Sequence, residues 1–249
     1  MSDNLLEVRN LVKSFGGVVP NDHICIDIPR GMIAGLIGPN GSGKTTLFNS
    51  ITGQHPVDSG SINFDGQEIL RLDMSEIARR GLLRTFQDAH VYHGMTCKEN
   101  MQISTPHAGE SLLDSLAVPA REVDDRALGI LDFVGLHDKR DAAAGELSFG
   151  QSKLLEFGMA LMSAPKLLLL DEPTAGIHPR LIDSIVERLR RANAEFGVTL
   201  LVIEHNMEVI MNVAERIYCL ANGRVLAHGT PQEIGSDQRV IEAYLGADA

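Results

Sequence analysis

The stretch Gly38-Pro-Asn-Gly-Ser-Gly-Lys-Thr45 constrains the fold of this chain more than any other part of it. It matches the pattern G-x-x-x-x-G-K-[ST], in which glycines let successive backbone N–H groups converge on phosphate oxygens. A short apolar run at 32–37 precedes the stretch and a helical segment follows it, so the loop joins a buried strand to a helix N-terminus. The alternative is a glycine-rich turn without a ligand, and these two neighbours argue against it. The sequence therefore predicts a phosphate-binding loop.

Buried strands and helices alternate in the second half of the chain. The apolar runs at 166–170 and Thr199–Ile203 have the length of buried strands, and residues 179–193 between them form an amphipathic helical pattern. This alternation is typical of a largely parallel sheet covered by helices. A late hairpin is expected at Asn222-Gly223. We therefore predict an α/β fold of the P-loop NTPase type with a parallel sheet at its core.

The N-terminal part of the chain is rich in strand signals. Residues 23–28 alternate between apolar and polar side chains, and Asp65-Gly66 has the composition of a hairpin turn. Alternation of this kind is typical of antiparallel strands with one buried face. We therefore predict an N-terminal antiparallel β subdomain.

The middle of the chain has a different character. Strand signals vanish between 88 and 160, and helical segments are expected at 97–103, 122–135 and 150–163. We therefore predict a single domain over residues 1–249. Its core with the β subdomain comprises 1–87 and 161–249, and its helical subdomain comprises 88–160.

Composition excludes several classes of protein. With 44% hydrophobic residues the chain can bury a core, and its formal net charge of −11 argues against binding nucleic acid. Three cysteines, Cys25, Cys97 and Cys219, lie far apart without a disulfide or metal spacing, which favours a reducing compartment. The apolar runs stop short of the length needed to cross a bilayer. We expect a soluble chain that reaches a membrane only through a partner.

Two adjacent carboxylates follow the buried run at 166–170. Asp171 ends a strand at the edge where ligands bind in such sheets, and there it can hold Mg²⁺ or a water of that ion. Glu172 comes next and can orient or deprotonate an attacking water. Lys44 would reach the β- and γ-phosphates, and the Thr45 hydroxyl would bind the metal. The alternative of surface charges is weakened by the loop upstream. The guanine-reading pattern N-K-x-D is absent from the sequence, which counts against a GTPase.

The stretch Leu147-Ser-Phe-Gly-Gln151, together with these motifs, resembles the ATP-binding cassette (ABC) ATPases over nearly the whole chain. The resemblance implies an ATPase that uses ATP and Mg²⁺. It implies that Phe15 stacks on adenine, that Gln87 contacts Mg²⁺ and the lytic water, and that His205 contacts the γ-phosphate. Each of these three residues taken alone has an ordinary structural explanation, but their order along the chain matches that of the family.

The implied site falls into three groups of residues. Those expected to bind the nucleotide are Phe15, Gly38, Pro39, Asn40, Gly41, Ser42, Gly43, Lys44, Thr45, Thr46, Ser148, Gly150 and Gln151. Those expected to be catalytic are Lys44, Gln87, Glu172 and His205. Those expected to hold the metal are Thr45, Gln87 and Asp171.

The resemblance also implies a second cassette. In this family two cassettes pack head to tail, so that Ser148 and Gly150 would contact the γ-phosphate of a nucleotide bound to another chain.

Two positions depart from the usual pattern of the family. Phe149 replaces a glycine, and His178 stands where the family often has an aspartate that connects the two sites. His178 would replace that aspartate only in part and would make the interface mildly sensitive to pH.

Three segments of the chain resemble one branch of the family. They resemble the cassettes of bacterial high-affinity branched-chain amino acid uptake systems. The segments are Phe15-Gly-Gly-Val18, Leu147-Ser-Phe-Gly-Gln151 running into Leu154-Leu-Glu-Phe-Gly-Met-Ala160, and the tail from His228 to Gly246. The tail resembles a broad branch that also includes urea or amide importers and the lipopolysaccharide-exporting cassette. Uptake of branched-chain or other hydrophobic amino acids is the main hypothesis, and those importers and that exporter are the alternatives.

The branch implies a set of partners. They are transmembrane permease subunits, a second cassette that is either a copy or a paralogue, and, indirectly, a periplasmic binding protein; no nucleic acid is expected. The chain would then lie peripherally on the cytoplasmic face of the inner membrane, with residues 88–101 receiving a helix of the permease. A soluble ABC ATPase of DNA repair or translation is disfavoured, because the sequence has neither a coiled-coil insertion nor a second cassette. A binding-only cassette is disfavoured because Lys44, Asp171, Glu172 and His205 are all present.

Overall fold

The computed structural model describes residues 3–85, 90–105 and 120–245, apart from the side chain of Ala120. The chain divides into two compact units. The first comprises Met1–Arg84, Lys166–Pro173 and Leu189–Ala249, and the second comprises Thr85–Pro165 and Thr174–Arg188. The subdomain limits that we expect at 87/88 and 160/161 stay a prediction.

The strands and the α-helices of the described residues are each numbered in chain order. The strands are β1 (Asn4–Phe15), β2 (Val18–Pro29), β3 (Ile33–Ile37), β4 (Ser59–Phe64), β5 (Gln67–Glu68), β6 (Leu82–Arg84), β7 (Leu167–Asp171), β8 (Thr199–Ile203), β9 (Arg216–Ala221) and β10 (Arg224–Gly229). The helices are α1 (Lys44–Ile51), α2 (Met74–Arg79), α3 (Cys97–Ile103), α4 (Ala120–Phe133), α5 (Phe149–Met162), α6 (Pro179–Phe196), α7 (Met207–Val213), α8 (Pro231–Ser236) and α9 (Gln238–Leu245).

The first unit contains an antiparallel sheet of the order β2-β1-β4-β5. Alternation in β2 buries Ile24, Ile26 and Ile28 on one face, as the sequence predicts. Asp65 and Gly66 have φ angles of 52° and 76°, the left-handed pair that a tight hairpin turn requires, and they connect β4 to β5. The predicted antiparallel β subdomain is confirmed.

The same unit contains a six-stranded sheet of the order β10-β9-β3-β8-β7-β6. All neighbouring strands from β9 to β6 run parallel, and only β10 is antiparallel to its neighbour β9. Strands β3, β7 and β8 are buried along their whole length, which explains why their sequences are continuous apolar runs. The predicted parallel α/β sheet is confirmed, and Asn222-Gly223 makes the predicted late hairpin.

One apolar cluster connects both sheets to α1. Each of the three elements contributes fully buried side chains to it, among them Leu6, Ile26 and Phe64 from the antiparallel sheet, Leu36, Leu169 and Leu201 from the parallel sheet, and Leu47 and Phe48 from α1. Burial of side chains of this size contributes about 1.5–3 kcal/mol each to folding. The cluster therefore fixes the start of α1 against the ends of β3 and β7, where the phosphate-binding loop and the two carboxylates are.

The second unit is mainly helical, with α3, α4 and α5 packed against one another. These helices agree with the segments expected at 97–103, 122–135 and 150–163 to within about two residues. In the described part of this unit, β pairing is limited to the isolated bridge between Thr96 and Ala143. Among residues 3–85, 90–105 and 120–245, no helix has both the length and the apolar character required to cross a membrane.

Candidate nucleotide site

The phosphate-binding loop leads into α1 through a glycine that no other residue can replace. Gly43 has a φ of 103°, and a Cβ atom at this position would lie 2.0 Å from the carbonyl oxygen of Pro20. Helix α1 begins at the next residue, Lys44, and among the described residues no side chain caps it. The N–H groups of its first turn are therefore available to an anion, as in a phosphate-binding helix start.

Lys44 lies at the centre of this loop and is largely buried. Its Nζ donates hydrogen bonds to the carbonyl oxygens of Gly38 (2.7 Å) and Pro39 (3.1 Å). Burial lowers the pKa of Lys44, while the nearby charges of Glu172 and Asp171 act in the opposite direction. The lysine ammonium and the two carboxylates thus lie close enough to interact, as their expected joint action on a phosphate requires.

The rest of the loop presents polar groups of two kinds. Ser42 is buried, and its Oγ has no hydrogen-bond partner among the described residues, so this hydroxyl could donate to a phosphate oxygen. Asn40, Gly41 and Thr45 are exposed at the crest of the loop and at the first turn of α1. An unpaired buried hydroxyl beside an uncapped helix start is a combination that a bound phosphate would satisfy.

The two carboxylates at the end of β7 have different partners. Asp171 Oδ2 accepts a hydrogen bond from Arg84 Nη2 at 2.6 Å. Glu172 Oε1 lies 2.6 Å from His205 Nε2, so the residue expected to act on the attacking water is in contact with the residue expected at the γ-phosphate. The backbone of Glu172 is left-handed with a φ of 51°, and its N–H donates to Ile203 O at 2.9 Å. A non-glycine residue in this strained conformation is a frequent mark of a functional site.

Arg84 is a member of this site that the sequence does not single out. It ends β6, and its side chain and that of Asp171 are only 8% and 10% exposed. Besides Asp171 it contacts Asn49, whose Oδ1 accepts from Nη1 at 2.5 Å, and its guanidinium lies 5.5 Å from the centre of the Phe48 ring. In the sequence, Arg84 is a charged residue at the end of a short apolar segment, next to the Gln87 motif. Charged residues in such positions are too common to identify a site.

Phe15 is the residue expected to stack on adenine. Its side chain is 46% exposed at the end of β1. The ring meets His55 edge to face with centroids 5.3 Å apart, and Lys13 Nζ lies 4.8 Å from the ring centre. An aromatic ring held on one side and exposed on the other can accept a stacked base. Gln87, the remaining expected contact in this part of the sequence, lies outside the described residues.

The C-terminal helix contributes a second residue that sequence reasoning misses. Gly38 N–H, at the start of the phosphate-binding loop, donates a hydrogen bond of 2.8 Å to the hydroxyl oxygen of Tyr244 in α9. Burial raises the pKa of Tyr244 to about 12, so the phenol stays neutral at physiological pH. Tyr244 belongs to the tail whose sequence resembles one branch of the family, so this tail also helps to hold the phosphate-binding loop in place.

The signature stretch lies in the second unit, at the start of α5. Ser148 is its N-cap: Oγ accepts from Gln151 N–H at 3.4 Å, and Gln151 Oε1 accepts from Ser148 N–H at 3.0 Å. Phe149, which replaces the usual glycine, is 49% exposed, and its Cε1 would be 3.0 Å from a Cβ atom on Gly176. Lys153 Nζ lies 5.6 Å from the centre of the same ring. Phe149 therefore occupies space that only a glycine at position 176 leaves open.

His178 takes part in the start of α6. Its Nδ1 accepts a hydrogen bond from Arg180 N–H at 3.3 Å, and its carbonyl oxygen accepts from Leu181 N–H at 2.8 Å. The ring thus satisfies one of the unpaired N–H groups at the helix start, which requires an unprotonated Nδ1. The effect of His178 on coupling between two cassettes stays a prediction.

Comparison with known proteins agrees with this geometry. The sequence profile described as ABC transporter matches residues 22–175, and the profile described as branched-chain amino acid ATP-binding cassette transporter matches residues 224–249. A probable branched-chain amino acid transport ATP-binding protein, LivG of Archaeoglobus fulgidus, is 38% identical over 247 residues, covering 98% of this chain and 96% of the relative.

Solved structures show the same fold. The crystal structure of the ADP conformation of an ATP-binding cassette of an ABC transporter is 37% identical with a TM-score of 0.87, covering 98% of this chain and all of that one. A dimeric cassette in a post-hydrolysis state, bound to ADP and Pi, is 25% identical with a TM-score of 0.78, covering 91% of this chain and 98% of that one. Cassettes of this kind bind ATP and ADP, form dimers and work in transporter complexes with membrane subunits. The chain belongs to the family of ABC transporter ATP-binding proteins, in its branched-chain amino acid (LivG/BraF) branch, and is an ATP-hydrolysing cassette.

Proposed function

We propose that this cassette uses ATP hydrolysis to drive uptake of branched-chain or other hydrophobic amino acids. The observation that carries the proposal is the tail, residues 224–249, which matches the profile of that transporter branch. In this chain the same tail supports the phosphate-binding loop through Tyr244 and Gly38. The branch-specific segment and the nucleotide site are therefore physically connected.

The nucleotide would bind between the Phe15 ring and the phosphate-binding loop. Phe15 would stack on adenine, and residues 38–46 would surround the phosphates, with Lys44 between the β- and γ-phosphates. Lys44 now donates to the carbonyl oxygens of Gly38 and Pro39, which holds its ammonium group inside the loop. A buried cation held in place by neutral acceptors can bind phosphate without a large loss of side-chain entropy.

A magnesium ion fits the donors of this site. Among the described residues no group of three or more His, Cys, Asp or Glu side chains could hold a metal on its own. The expected ligands Thr45, Gln87 and Asp171 offer oxygen atoms, and magnesium at nucleotide sites takes few protein ligands and completes its shell with phosphates and water. The ion would neutralise charge on the phosphates when bound.

Glu172 and His205 would perform the hydrolytic step together. The 2.6 Å contact between Oε1 and Nε2 requires a shared hydrogen, so the imidazole N–H orients the carboxylate. Glu172 would then orient the attacking water or accept its proton, and His205 would contact the γ-phosphate. The left-handed backbone of Glu172 fixes where this carboxylate can reach.

The signature of one chain would act on the nucleotide of another. Ser148 Oγ accepts a backbone N–H, which leaves its hydroxyl hydrogen to donate to a phosphate oxygen. Gly150 and Gln151 would complete this second helix start at the γ-phosphate. ATP then favours the closed dimer because its phosphates join the two chains, and hydrolysis favours opening. The second cassette would be either a copy of this chain or a paralogue.

The membrane partners would be two permease subunits, supplied by a periplasmic binding protein, at the cytoplasmic face of the inner membrane. Residues 88–101 are the segment expected to receive them. Within its described part, Tyr92 and Met95 are exposed large apolar side chains, 59% and 36% accessible. Exposed aromatic and methionine side chains are common in protein interfaces.

The test is a pair of experiments in the native host. A tagged chain is purified from gently solubilised membranes, and its companions are identified. A strain that lacks the gene is then assayed for uptake of labelled leucine, with the wild-type chain or Glu172→Gln restored. Permeases, an amino acid binding protein and leucine uptake restored only by the wild-type chain would support the proposal. A lipid-exporting pair without a binding protein, or restored urea or amide uptake instead, would replace it by one of the alternatives.

A further inference from the structure

A chain of polar contacts runs through the first unit from the Phe15 ring to Asp171. His55, which meets Phe15 edge to face, has its Nε2 3.1 Å from Asn49 Nδ2. Asn49 Oδ1 accepts from Arg84 Nη1 at 2.5 Å, and Arg84 Nη2 donates to Asp171 Oδ2 at 2.6 Å. We call His55, Asn49, Arg84 and Asp171 the polar network.

Chemistry fixes the direction of every contact in the polar network. Arg84 has only donors, so the Asn49 amide must present its oxygen to Arg84 and its NH₂ group to His55. His55 Nε2 must then be an acceptor, which requires the neutral imidazole with its hydrogen on Nδ1. One orientation of Asn49 satisfies both neighbours, and the opposite orientation would place two donors against each other on the side of Arg84.

The environment of Arg84 makes this arrangement rigid. Its side chain is 8% exposed, its two terminal nitrogens have different partners, and its guanidinium lies over the Phe48 ring. A planar guanidinium can contact two partners at once, whereas the ammonium of a lysine is a point charge on a flexible stem. Asn49 lies on α1, the helix that starts at the phosphate-binding loop, so the polar network joins that helix to the end of β7.

We propose that Arg84, held in place by Asn49 and His55, is a positioning residue that fixes the Asp171 carboxylate for the magnesium ion of the nucleotide. The inference rests on the proposed role of Asp171 as a metal ligand. It adds that the polar network connects the Phe15 ring, which is expected to receive adenine, to the Asp171 carboxylate, which is expected to hold the metal. Magnesium should therefore strengthen nucleotide binding only as far as the polar network keeps Asp171 in one orientation.

The test measures the gain in nucleotide affinity that magnesium provides. Binding of a fluorescent methylanthraniloyl derivative of AMPPNP, which is not hydrolysed, is titrated in EDTA and in Mg²⁺, and the ratio of the two dissociation constants is the magnesium gain. Asn49→Ala and Arg84→Lys both keep the positive charge beside Asp171 but break the bridge between Asn49 and Asp171. Loss of a residue that orients a metal ligand costs about 10–100-fold in metal affinity.

We expect both variants to lower the magnesium gain by about tenfold while the affinity in EDTA stays within about twofold. The double variant should lose no more than either single variant, because both changes break the same network. His55→Phe, which keeps an aromatic edge beside Phe15 but removes the acceptor, should lower the gain by about fivefold. Arg79→Lys, a matched change at an exposed arginine, should leave the gain unchanged.

Asp171→Asn separates the inference from the proposal beneath it. If this variant keeps a normal magnesium gain, Asp171 is not a metal ligand and both ideas fail. If it loses the gain while Asn49→Ala and Arg84→Lys keep it, only the inference is overturned. Affinity in EDTA that falls as far as affinity in magnesium would also overturn it, because the loss would then reflect general damage. An effect confined to Arg84→Lys would remove Asn49 and His55 from the positioning role.

Discussion

The starts of helices α1 and α5 are both expected to meet the phosphates of ATP, yet they are built in opposite ways. Helix α1 follows Gly43, whose backbone is left-handed, and in the described chain no side chain caps it. Helix α5 follows Ser148, which exchanges two hydrogen bonds with Gln151 and so completes its own cap. Among the described residues no side chain accepts a first-turn N–H of α1, whereas at α5 the Ser148 side chain accepts the N–H of Gln151.

This difference explains how the two starts can divide one task. An uncapped start has N–H groups that gain strongly from an anion, so α1 would provide affinity within one chain. A capped start is stable without a ligand and adds the Ser148 hydroxyl and its remaining first-turn N–H groups when a nucleotide arrives, so α5 would bind and release it at low cost.

Glu172→Gln should keep α1 of one chain and α5 of another bound to the same nucleotide. Loss of the general base should lower turnover by about 10²–10⁴-fold, while ATP binding persists. The variant should then elute as an ATP-dependent dimer in size-exclusion chromatography, with phosphate release measured in parallel. Near-normal hydrolysis would remove Glu172 from its proposed role, and a variant that stays monomeric in ATP would argue against a shared nucleotide.

Gly43→Ala and Gly150→Ala should differ strongly in their effect on nucleotide binding by a single chain. A Cβ atom at Gly43 would collide with Pro20 O at 2.0 Å, whereas one at Gly150 would meet only Ile177 and Leu181 at 3.5 Å. Because displacing the loop by about 1 Å can cost on the order of a hundredfold, Gly43→Ala should weaken nucleotide binding by at least that factor. Gly150→Ala should change binding to the monomer by less than about twofold. Equal losses in calorimetric titrations would contradict the comparison.

Ser148→Asp should distinguish the cap of α5 from its contact with phosphate. Aspartate caps a helix as well as serine does, so the melting temperature should hold, whereas Ser148→Ala should lose about 1 kcal/mol of stability. The added negative charge would face the γ-phosphate of the proposed site, so ATPase activity of Ser148→Asp should fall by about tenfold. Thermal unfolding and steady-state phosphate release provide the two measurements. Full activity in the aspartate variant would mean that Ser148 only caps the helix.

Tyr244→Phe should produce a smaller loss than Gly43→Ala or Ser148→Asp, at the loop that precedes α1. The substitution removes the acceptor for Gly38 N–H, and an unsatisfied buried donor costs about 1–3 kcal/mol. We expect nucleotide affinity to fall by about fivefold, with little effect on the melting of the second unit. An unchanged affinity would show that the tail does not support the loop. Because the pKa of Tyr244 is about 12, the wild-type contact should not vary between about pH 6 and 9.

Local signals explain how much of this protein could be predicted from sequence. Strands β3, β7 and β8 are apolar runs, the helices of the second unit have regular periodicity, and the loop at Gly38–Thr45 has a fixed pattern. Each of these depends on neighbours along the chain, so sequence alone predicts it.

The contacts that support the site depend on distant residues. Arg84 and Asp171 meet across 87 positions, and His205 meets Glu172 only because β8 lies beside β7. The left-handed backbone of Glu172 has no signature in residue type, since glutamate does not favour it. Such features follow from tertiary packing, and no local pattern encodes them.

The contact between Gly38 and Tyr244 also has a consequence for how the protein is made. The two residues are separated by 206 positions, so at about 5–20 residues per second the ribosome adds the tyrosine roughly 10–40 s after the glycine. Throughout that interval the nascent loop lacks the hydroxyl that accepts its first N–H. A polypeptide released before residue 244 would carry the complete motif without this support. The full affinity for nucleotide would therefore be among the last properties that synthesis confers on this chain.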